Sequence, residues 1–454
     1  MGKAFRPWDV DQQWLLPPSV SEFVPEGHVA HFVRNLVREE LDLSAILDSY
    51  GDGPGQPPHH PAMMTALLLY GYSRGVYSSR KLERASQERL DFMAITCLAK
   101  PDHSRINAFR QRHREALKGL FVQVLLLCKQ AGLVKLGHVA LDGTKMQANA
   151  SKHAAMSYGR MTKAQAELAT EVEQWLQEAD AADTKEDTEF GPDKTGDELP
   201  DWVKNKQRRL EKIREAKARL EQEARDKANQ LAAEREEKER ERGKAVSGKR
   251  PKALDGVPED KAQSNFTDPE SRIMKTGSGF EQAYNCQAAV DAESQVITAQ
   301  AVTAEPNDKG ALEPLIDQVR DNTGNFPKQV SADAGYCSEK NLQAIEDRAI
   351  DGYVATGRQK HGTPCAAGDT SSPTKPLTQA MRSKLKQGGW ASPYHLRKQT
   401  VEPVFGQIKE ARGFRRFLTR GITGVALEWS LLCTVHNILK LAFAKTQHLS
   451  VTLR

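Results

Sequence analysis

Residues 136–145 read LGHVALDGTK, a short apolar run that closes on Asp142 and is followed by Gly143. The run length, its branched apolar residues and the glycine predict a buried strand over Leu136 to Asp142, ending in an acid. A second run of this kind, QVSAD at 329–333, ends in Asp333. Between them, AYNCQAAV (283–290) and QVITAQAV (295–302) flank a four-residue polar break and predict a hairpin. Helical patterns cover 308–319 and 338–348, a strand core covers 352–355, and late helices cover about 398–412 and 424–444. Strand, long interruption, two strands, helix, strand, helix, strand, basic loop and helix is a mixed α/β layer pattern.

Upstream, residues 1 to about 135 predict an all-helical domain. Apolar residues recur at helical spacing from Val29 to Leu43, and Pro61 opens an apolar helix to Tyr72. Further helices are predicted after Ser78, after Pro101-Asp102 and over Leu117 to Gln130, with Gly132 as a stop. Arg80, Lys81, Arg84, Arg105, Arg110, Arg112 and Arg114 lie on these helices. They fit a helical DNA-binding module and, equally, a solvated basic face.

The interruption, 155–275, is polar and strongly charged. Residues 161–201 carry a net charge of −10 and residues 203–254 a net of +8. Glu215/Arg219, Glu221/Arg225, Glu223/Lys227, Glu234/Lys238 and Glu236/Arg240 are i,i+4 pairs in the favoured order. An antiparallel helical hairpin and a solvated single helix both satisfy this pattern. Gly243 to Thr267 lacks periodicity and predicts a loop. The domains expected are therefore 1–135 helical, 136–154 the first part of an α/β core, 155–275 a charged helical insertion and 276–445 the rest of the core.

Composition excludes other classes. The 454 residues are 39% hydrophobic and 28% charged, with a formal net charge of +5, against an integral membrane protein or a wholly disordered chain. No apolar signal segment opens the sequence, and the apolar stretch 424–444 is interrupted by Glu428, His436 and Lys440, so a core helix is expected there rather than a membrane span. Six cysteines form no CxxC, which predicts neither disulfides nor zinc and suits a reducing cytoplasm. Residues 355–420 alone carry +10, pointing to a polyanion partner.

Three carboxylates stand out: Asp142 and Asp333 at strand ends, and Glu402 in a late helix. Parallel neighbouring strands would bring both aspartates to the C-terminal rim where ligands of α/β sheets sit. Two Mg²⁺ ions can activate an attacking oxygen and stabilise a leaving one in phosphodiester exchange, and Mg²⁺ takes oxygen ligands. Taken singly, a strand-end aspartate is more often a turn former or helix cap. Asp291 is the main rival for a place in the site, Asp308 is read as a helix cap, and Glu339 and Glu410 as solvated helix residues. Around Glu402 lie Tyr394, Arg397, Lys398, Lys409, Arg412, Arg415 and Arg416, with Lys398, Glu402 and Lys409 near one helical face. Trp390 and Tyr394 are aromatic candidates for base stacking or for packing.

LDGTKMQANAS (141–151), AYNCQAAVD (283–291), ADAGYCSEKN (332–341) and YHLRKQTVEPVFGQIK (394–409) resemble the DDE transposases of bacterial insertion sequences, as do HHPAMMTALLLYGYSRGVYSSRKLE (59–83) and PDHSRINAFRQRH (101–113). The resemblance implies a ribonuclease H-like core with Asp142, Asp333 and Glu402 as a DDE triad holding Mg²⁺, with Mn²⁺ as a substitute. It implies a Tyr–Arg–Glu–Lys pattern filled by Tyr394, Glu402 and Lys409. Either Arg397 or Lys398 takes the arginine position, because one extra residue separates Arg397 from Glu402. It further implies hydrolysis at the element ends, attack of the freed 3′-hydroxyl on target DNA, recognition of terminal inverted repeats by the helical domain, a homodimer joining two double-stranded ends, and a bacterial cytoplasmic protein at the nucleoid when DNA-bound. The competing expectations are a DNA-binding relative without catalysis, a structure-specific nuclease without strand transfer, and an interaction scaffold built on the charged insertion.

Overall fold

The computed structural model describes residues 19–51, 57–190, 201–243, 255–277, 279–357, 363–366 and 375–452. The helical region comprises α1 (Val29–Asn35), α2 (Ser44–Leu47), α3 (Pro61–Ser73), α4 (Ser79–Glu88), α5 (Leu90–Thr96), α6 (His103–Arg112) and α7 (Arg114–Gln130). Local chemistry sets the ends. Pro61 occupies the first turn of α3, Ser78 accepts from Lys81 N at the start of α4, and Asp102 accepts from Ser104 N and Arg105 N at the start of α6. Gly132, at φ +74°, turns the chain after α7, a conformation costly for other residues.

The remaining elements are β1 (His138–Gln147), β2 (Ala155–Ser157), α8 (Tyr158–Phe190), α9 (Asp201–Arg242), β3 (Gln263–Asn265), β4 (Arg272–Thr276), β5 (Gly279–Asp291), β6 (Ile297–Thr303), α10 (Leu312–Thr323), β7 (Gln329–Ala332), α11 (Glu339–Asp347), β8 (Asp351–Val354), α12 (Pro376–Gly388), α13 (Leu396–Gly406) and α14 (Ile422–Thr452). The main sheet runs β4-β5-β1-β7-β8, with β6 also paired to β5. β1, β7 and β8 are parallel, while β5 is antiparallel to β1, β4 and β6. This mixed six-stranded sheet after a helical region is the ribonuclease H-like arrangement expected.

Three details differ from the sequence expectation. β1 does not end at Asp142. The thirteen-residue β5 offers a partner for every residue through Gln147↔Ala283, so the ladder continues across Gly143. Residues 272–276, assigned to the insertion by their polarity, form β4 on the edge of the main sheet. Within the segment expected as a loop, Gln263–Asn265 pairs with Ala155–Ser157, while 244–254 lies outside the described residues.

The insertion is a hairpin. Lys206 on α9 pairs with Glu171 on α8, and Met161 packs with Ile213, Ala216 and Leu220 nearer its foot. Contact of 171 with 206 and of 161 with residues near 216 is the signature of antiparallel helices.

One apolar core runs unbroken from α1 through α7 and α14 to the sheet. α14 is long and apolar enough to cross a membrane, yet over Ile422–Lys445 it is 78% buried within the fold, as its interrupting polar residues suggest. Asn437 exchanges two hydrogen bonds with the backbone of Ile297, His436 Nε2 bonds Gln295 O, and Trp429 Nε1 donates to Gln287 O. Burial first, and then the Arg412 charge, push the His436 pKa down to about 3, so it is neutral. Glu428, fully buried, accepts from Leu418 N, Thr419 N and Thr419 Oγ1, and faces Tyr72 and Arg110 of the helical region.

Glu428 thus joins three segments. Replacing it with alanine leaves the Leu418 and Thr419 N–H groups without their acceptor and the buried Arg110 guanidinium without its ionic partner. We expect Glu428→Ala to destabilise the chain by about 3–5 kcal/mol in denaturant unfolding. A loss below about 1 kcal/mol would contradict this account of how the helical region is joined to the core.

Candidate active site

β1 and β7 pair in parallel with Leu141 opposite Ala332, so the next residues, Asp142 and Asp333, leave adjacent strands side by side. Asp333 Oδ1 accepts from Gly335 N at 2.8 Å, which turns the chain into a short 3-10 helix. Asp142 accepts from Gly143 N at 2.8 Å and, through Oδ2, from Arg397 Nη1 at 2.5 Å. Arg397 comes from α13, which packs across β1, β5 and β7. Its side chain is 9% exposed and that of Asp142 16%, so the pair is largely shielded from water.

Burial raises the Asp142 pKa to about 6. Arg397 opposes the rise and the charge of Asp333 adds to it. On Arg397 burial disfavours the charge, but Asp142, Tyr394 and Asp333 outweigh it and its pKa is raised. Burial thus outweighs the guanidinium at Asp142, and by formal charge one guanidinium faces two carboxylates.

A third carboxylate joins from an unexpected place. Asp308 does not cap α10, which starts at Leu312 after Ala311. Its carboxylate accepts from Asn285 Nδ2 at 2.6 Å, Gln287 Nε2 at 2.7 Å and Lys145 Nζ at 3.2 Å. A Cβ on Gly335 would lie 2.9 Å from both Asp308 Oδ2 and Asp333 Oδ1, so these oxygens are less than about 6 Å apart. A Cβ on Gly143 would collide with Gln287 Nε2, Asp308 Oδ1 and Asn285 Oδ1, which explains glycine at both positions. Tyr336 donates to Gln287 Oε1, and burial followed by the charges of Asp142, Asp308 and Asp333 holds its phenol protonated. The alternation of Asn285 and Gln287 in an otherwise apolar strand was the available signal for this polar network.

Glu402 is exposed on α13, and among the described residues it makes no hydrogen bond or ion pair with either aspartate. Five residues from Arg397, it stands about 140° around the helix from the residue that reaches Asp142. Lys409, in the π-helical turn after α13, donates to Lys145 O at 3.0 Å. The helix is thus tied to β1 at Asp142 and again at Lys145, and Glu402 lies between these ties on the outer flank. Among the described residues no three His, Cys, Asp or Glu side chains already form a metal-holding group.

The other candidates separate clearly. Tyr394 is buried beside Ala355, Cys365 and Leu385, so it packs rather than projecting for stacking, whereas Trp390 is exposed and stacks on His395. Arg397, not Lys398, reaches the carboxylates, while Lys398 is exposed. Lys409 is half-buried, and burial lowers its pKa. Burial likewise lowers the Arg412 pKa, and its terminal nitrogens are buried without partners near Tyr77. Arg415 pairs with Glu410, which is exposed, while Arg416 Nε donates to Ala148 O. Asp291 sits opposite Val139 near the start of β1, three residues before Asp142, and accepts from Lys135 N, Leu136 N and Glu293 N as a turn former. Glu339 is not merely solvated: it accepts from Leu377 N and Thr378 N at the start of α12.

Residues 248–438 match the Transposase DDE domain and residues 18–112 match the Transposase domain (DUF772). The chain therefore carries a DDE transposase domain, which implies a phosphoryl-transfer enzyme family, behind an N-terminal transposase domain. A 79-residue stretch is 35% identical to a Burkholderia cepacia protein described as a transposase for insertion sequence element IS402, covering 16% of this chain and 37% of that relative. No solved structure matches. The DDE match contains Asp333, Glu402 and Arg397, whereas Asp142 lies upstream, beyond the insertion.

Asp142 ionises near 3.8 when unfolded and near 6 when folded. Its contribution to stability is fully present below the unfolded value and is lost as pH rises through about 6. Asn mimics the protonated form at every pH. We expect Asp142→Asn to be more stable than the parent by about 2–3 kcal/mol at pH 7.5 without divalent ions, with the gain vanishing near pH 4. A less stable variant at pH 7.5 would show that the Arg397 pair outweighs burial.

Proposed function

We propose that this protein is an active transposase, cutting and joining double-stranded DNA at the ends of an insertion sequence and at its target. The observation that carries the reading is Asp142 and Asp333 side by side where β7 ends against β1, two carboxylates facing the single guanidinium of Arg397. Hard oxygen donors carrying surplus negative charge suit Mg²⁺, with Mn²⁺ as substitute. Asp142 and Asp333 would hold it, and Glu402 would complete the set by turning in from the outer flank of α13. When bound, divalent ions polarise the scissile phosphate and favour the anionic form of the attacking and leaving oxygens.

The chain's own residues do the rest. Arg397 neutralises and orients Asp142 until DNA arrives, and stays beside it as a phosphate partner. Gln287 and Tyr336 hold the turn after Asp333 in place, with Asp308 as their anchor. Lys398 supplies a cation along the flank of α13 that also bears Glu402, Lys409 ties the following turn to β1, and Arg415 and Arg416 extend the basic surface for salt-dependent phosphate binding. Water opens the phosphodiester at the element end, and the freed 3′-hydroxyl then attacks target DNA. Recognition of the terminal repeats falls to α4 and α6. α4 buries Leu82 and Ala85 while Arg80 and Arg84 stay exposed, as a groove-reading helix would. A homodimer would hold two ends, and the protein would act at the bacterial nucleoid in the cytoplasm.

The test is cleavage and joining of duplex DNA carrying the inverted repeats that flank the coding region. With Mg²⁺ we expect nicked and joined products, lost by at least about a hundredfold in Asp142→Ala, Asp333→Ala and Glu402→Ala. Equal products from parent and Asp142→Ala would remove the catalytic claim, and cleavage without joining of pre-cut ends would make the protein a nuclease. Because Asp142 must be ionised to hold a cation, the rate should fall as pH is lowered through about 6 at low Mg²⁺. Full activity in Glu402→Ala would move the third acid elsewhere, with Asp308 the nearest alternative.

A further inference from the structure

Three cationic side chains converge at the foot of the charged hairpin. Arg160 at the start of α8, and Arg209 and Lys212 on α9, line a cleft of about 380 Å³ together with His153, Met156 and Phe266. All three cations are exposed, and among the described residues none has a carboxylate partner. Elsewhere on the hairpin Lys206 pairs with Glu171, Arg225 with Glu221 and Arg235 with Glu239.

The foot is also held rigidly. Met161, Ile213, Ala216 and Leu220 form a buried core beneath it, β2 pairs with β3, Tyr158 N bonds Ala262 O, and Asn265 Nδ2 bonds Ser151 O. A fixed surface that gathers three like charges carries an electrostatic cost that a polyanion relieves. Flexible surface lysines would simply spread apart.

The cleft lies on the chain that leaves Asp142. β1 runs on to Gln147, and Arg416 and Arg420 donate to the carbonyls of Ala148 and Asn149 before the chain reaches His153. Eleven residues span at most about 40 Å, which bounds the separation to about one turn of duplex, ~34–36 Å, or less. The row Lys409, Arg416, Arg420 and then the cleft follows that path.

We propose that the foot of the α8–α9 hairpin is a second duplex-DNA contact, binding phosphodiester backbone within about one helical turn of Asp142. The choice of DNA as the polyanion rests on the transposase reading, whereas the site itself does not.

The test measures how affinity of the full chain for a random-sequence duplex of about 40 base pairs changes with salt, in EDTA, for the parent and for Arg160→Gln/Arg209→Gln/Lys212→Gln. Each phosphate contact contributes about 0.9 to the log–log slope, so we expect the slope to shrink by about 2–3. Arg160→Gln and Arg209→Gln alone should each lower it by about 1, which keeps the test open if the triple variant does not fold. A control removing Lys206, Arg225 and Arg235, which are already paired, should leave it unchanged. An unchanged slope in the triple variant, an equal loss in the control, or a loss confined to single-stranded RNA of the same length overturns the proposal. The same slope change is expected in an Asp142→Ala background. A reduced slope from a parent that never cleaves DNA therefore keeps the cleft and removes the catalytic reading, and an unchanged slope with cleavage intact does the reverse.

Discussion

The geometry of the site depends on one shielded ion pair, Asp142 with Arg397. Removing either charge from water is costly, and only a close, well-directed partner returns that cost. The pair does so incompletely, since burial still dominates at Asp142 and keeps its pKa near 6. What the contact secures is position. It fixes α13 against the end of β7 and the middle of β1, and so decides which face of that helix is turned outward. Glu402 and Lys398 are on the outer flank because Arg397, Val401, Val404 and Phe405 occupy the inner one.

Beneath the pair lies a polar network that the sheet alone would not require. Asp308 collects Lys145, Asn285 and Gln287, and Gln287 passes the constraint to Tyr336 in the turn after Asp333. Gly143 and Gly335 are the two places where this network passes so close to the backbone that a Cβ has no room. Satisfied buried polar groups of this kind hold a turn more exactly than apolar packing does. They also bring Asp308 and Asp333 within a few ångströms of each other, which raises the negative potential of the rim.

The helical region is not a separate bead on this core. α14 lies between α3 and α7 on one side and β6 on the other, and its polar residues are spent on backbone partners in the sheet. Glu428 then ties that layer to Arg110, Tyr72 and the 418–419 loop. A helical region and a sheet that share one apolar core move together. The α8–α9 hairpin differs, having a small core of its own apart from the main one.

By itself the sequence determined the order and type of nearly every element, because apolar period, caps and turn residues are local properties. Asp142 and Asp333 were legible as strand-end acids for the same reason, and α14 as a core helix through Glu428, His436 and Lys440. Only the tertiary structure decided what depends on pairing at long range. The ladder with β5 carried β1 five residues past Asp142, and an edge position on the sheet took Arg272–Thr276 out of the polar insertion. Asp308, locally indistinguishable from a helix cap, became part of the site because Asn285, Gln287 and Lys145 from two other strands face it. The difference between Arg397 and Lys398 is likewise one of helix phase against a sheet, which no neighbouring residue in the chain can encode.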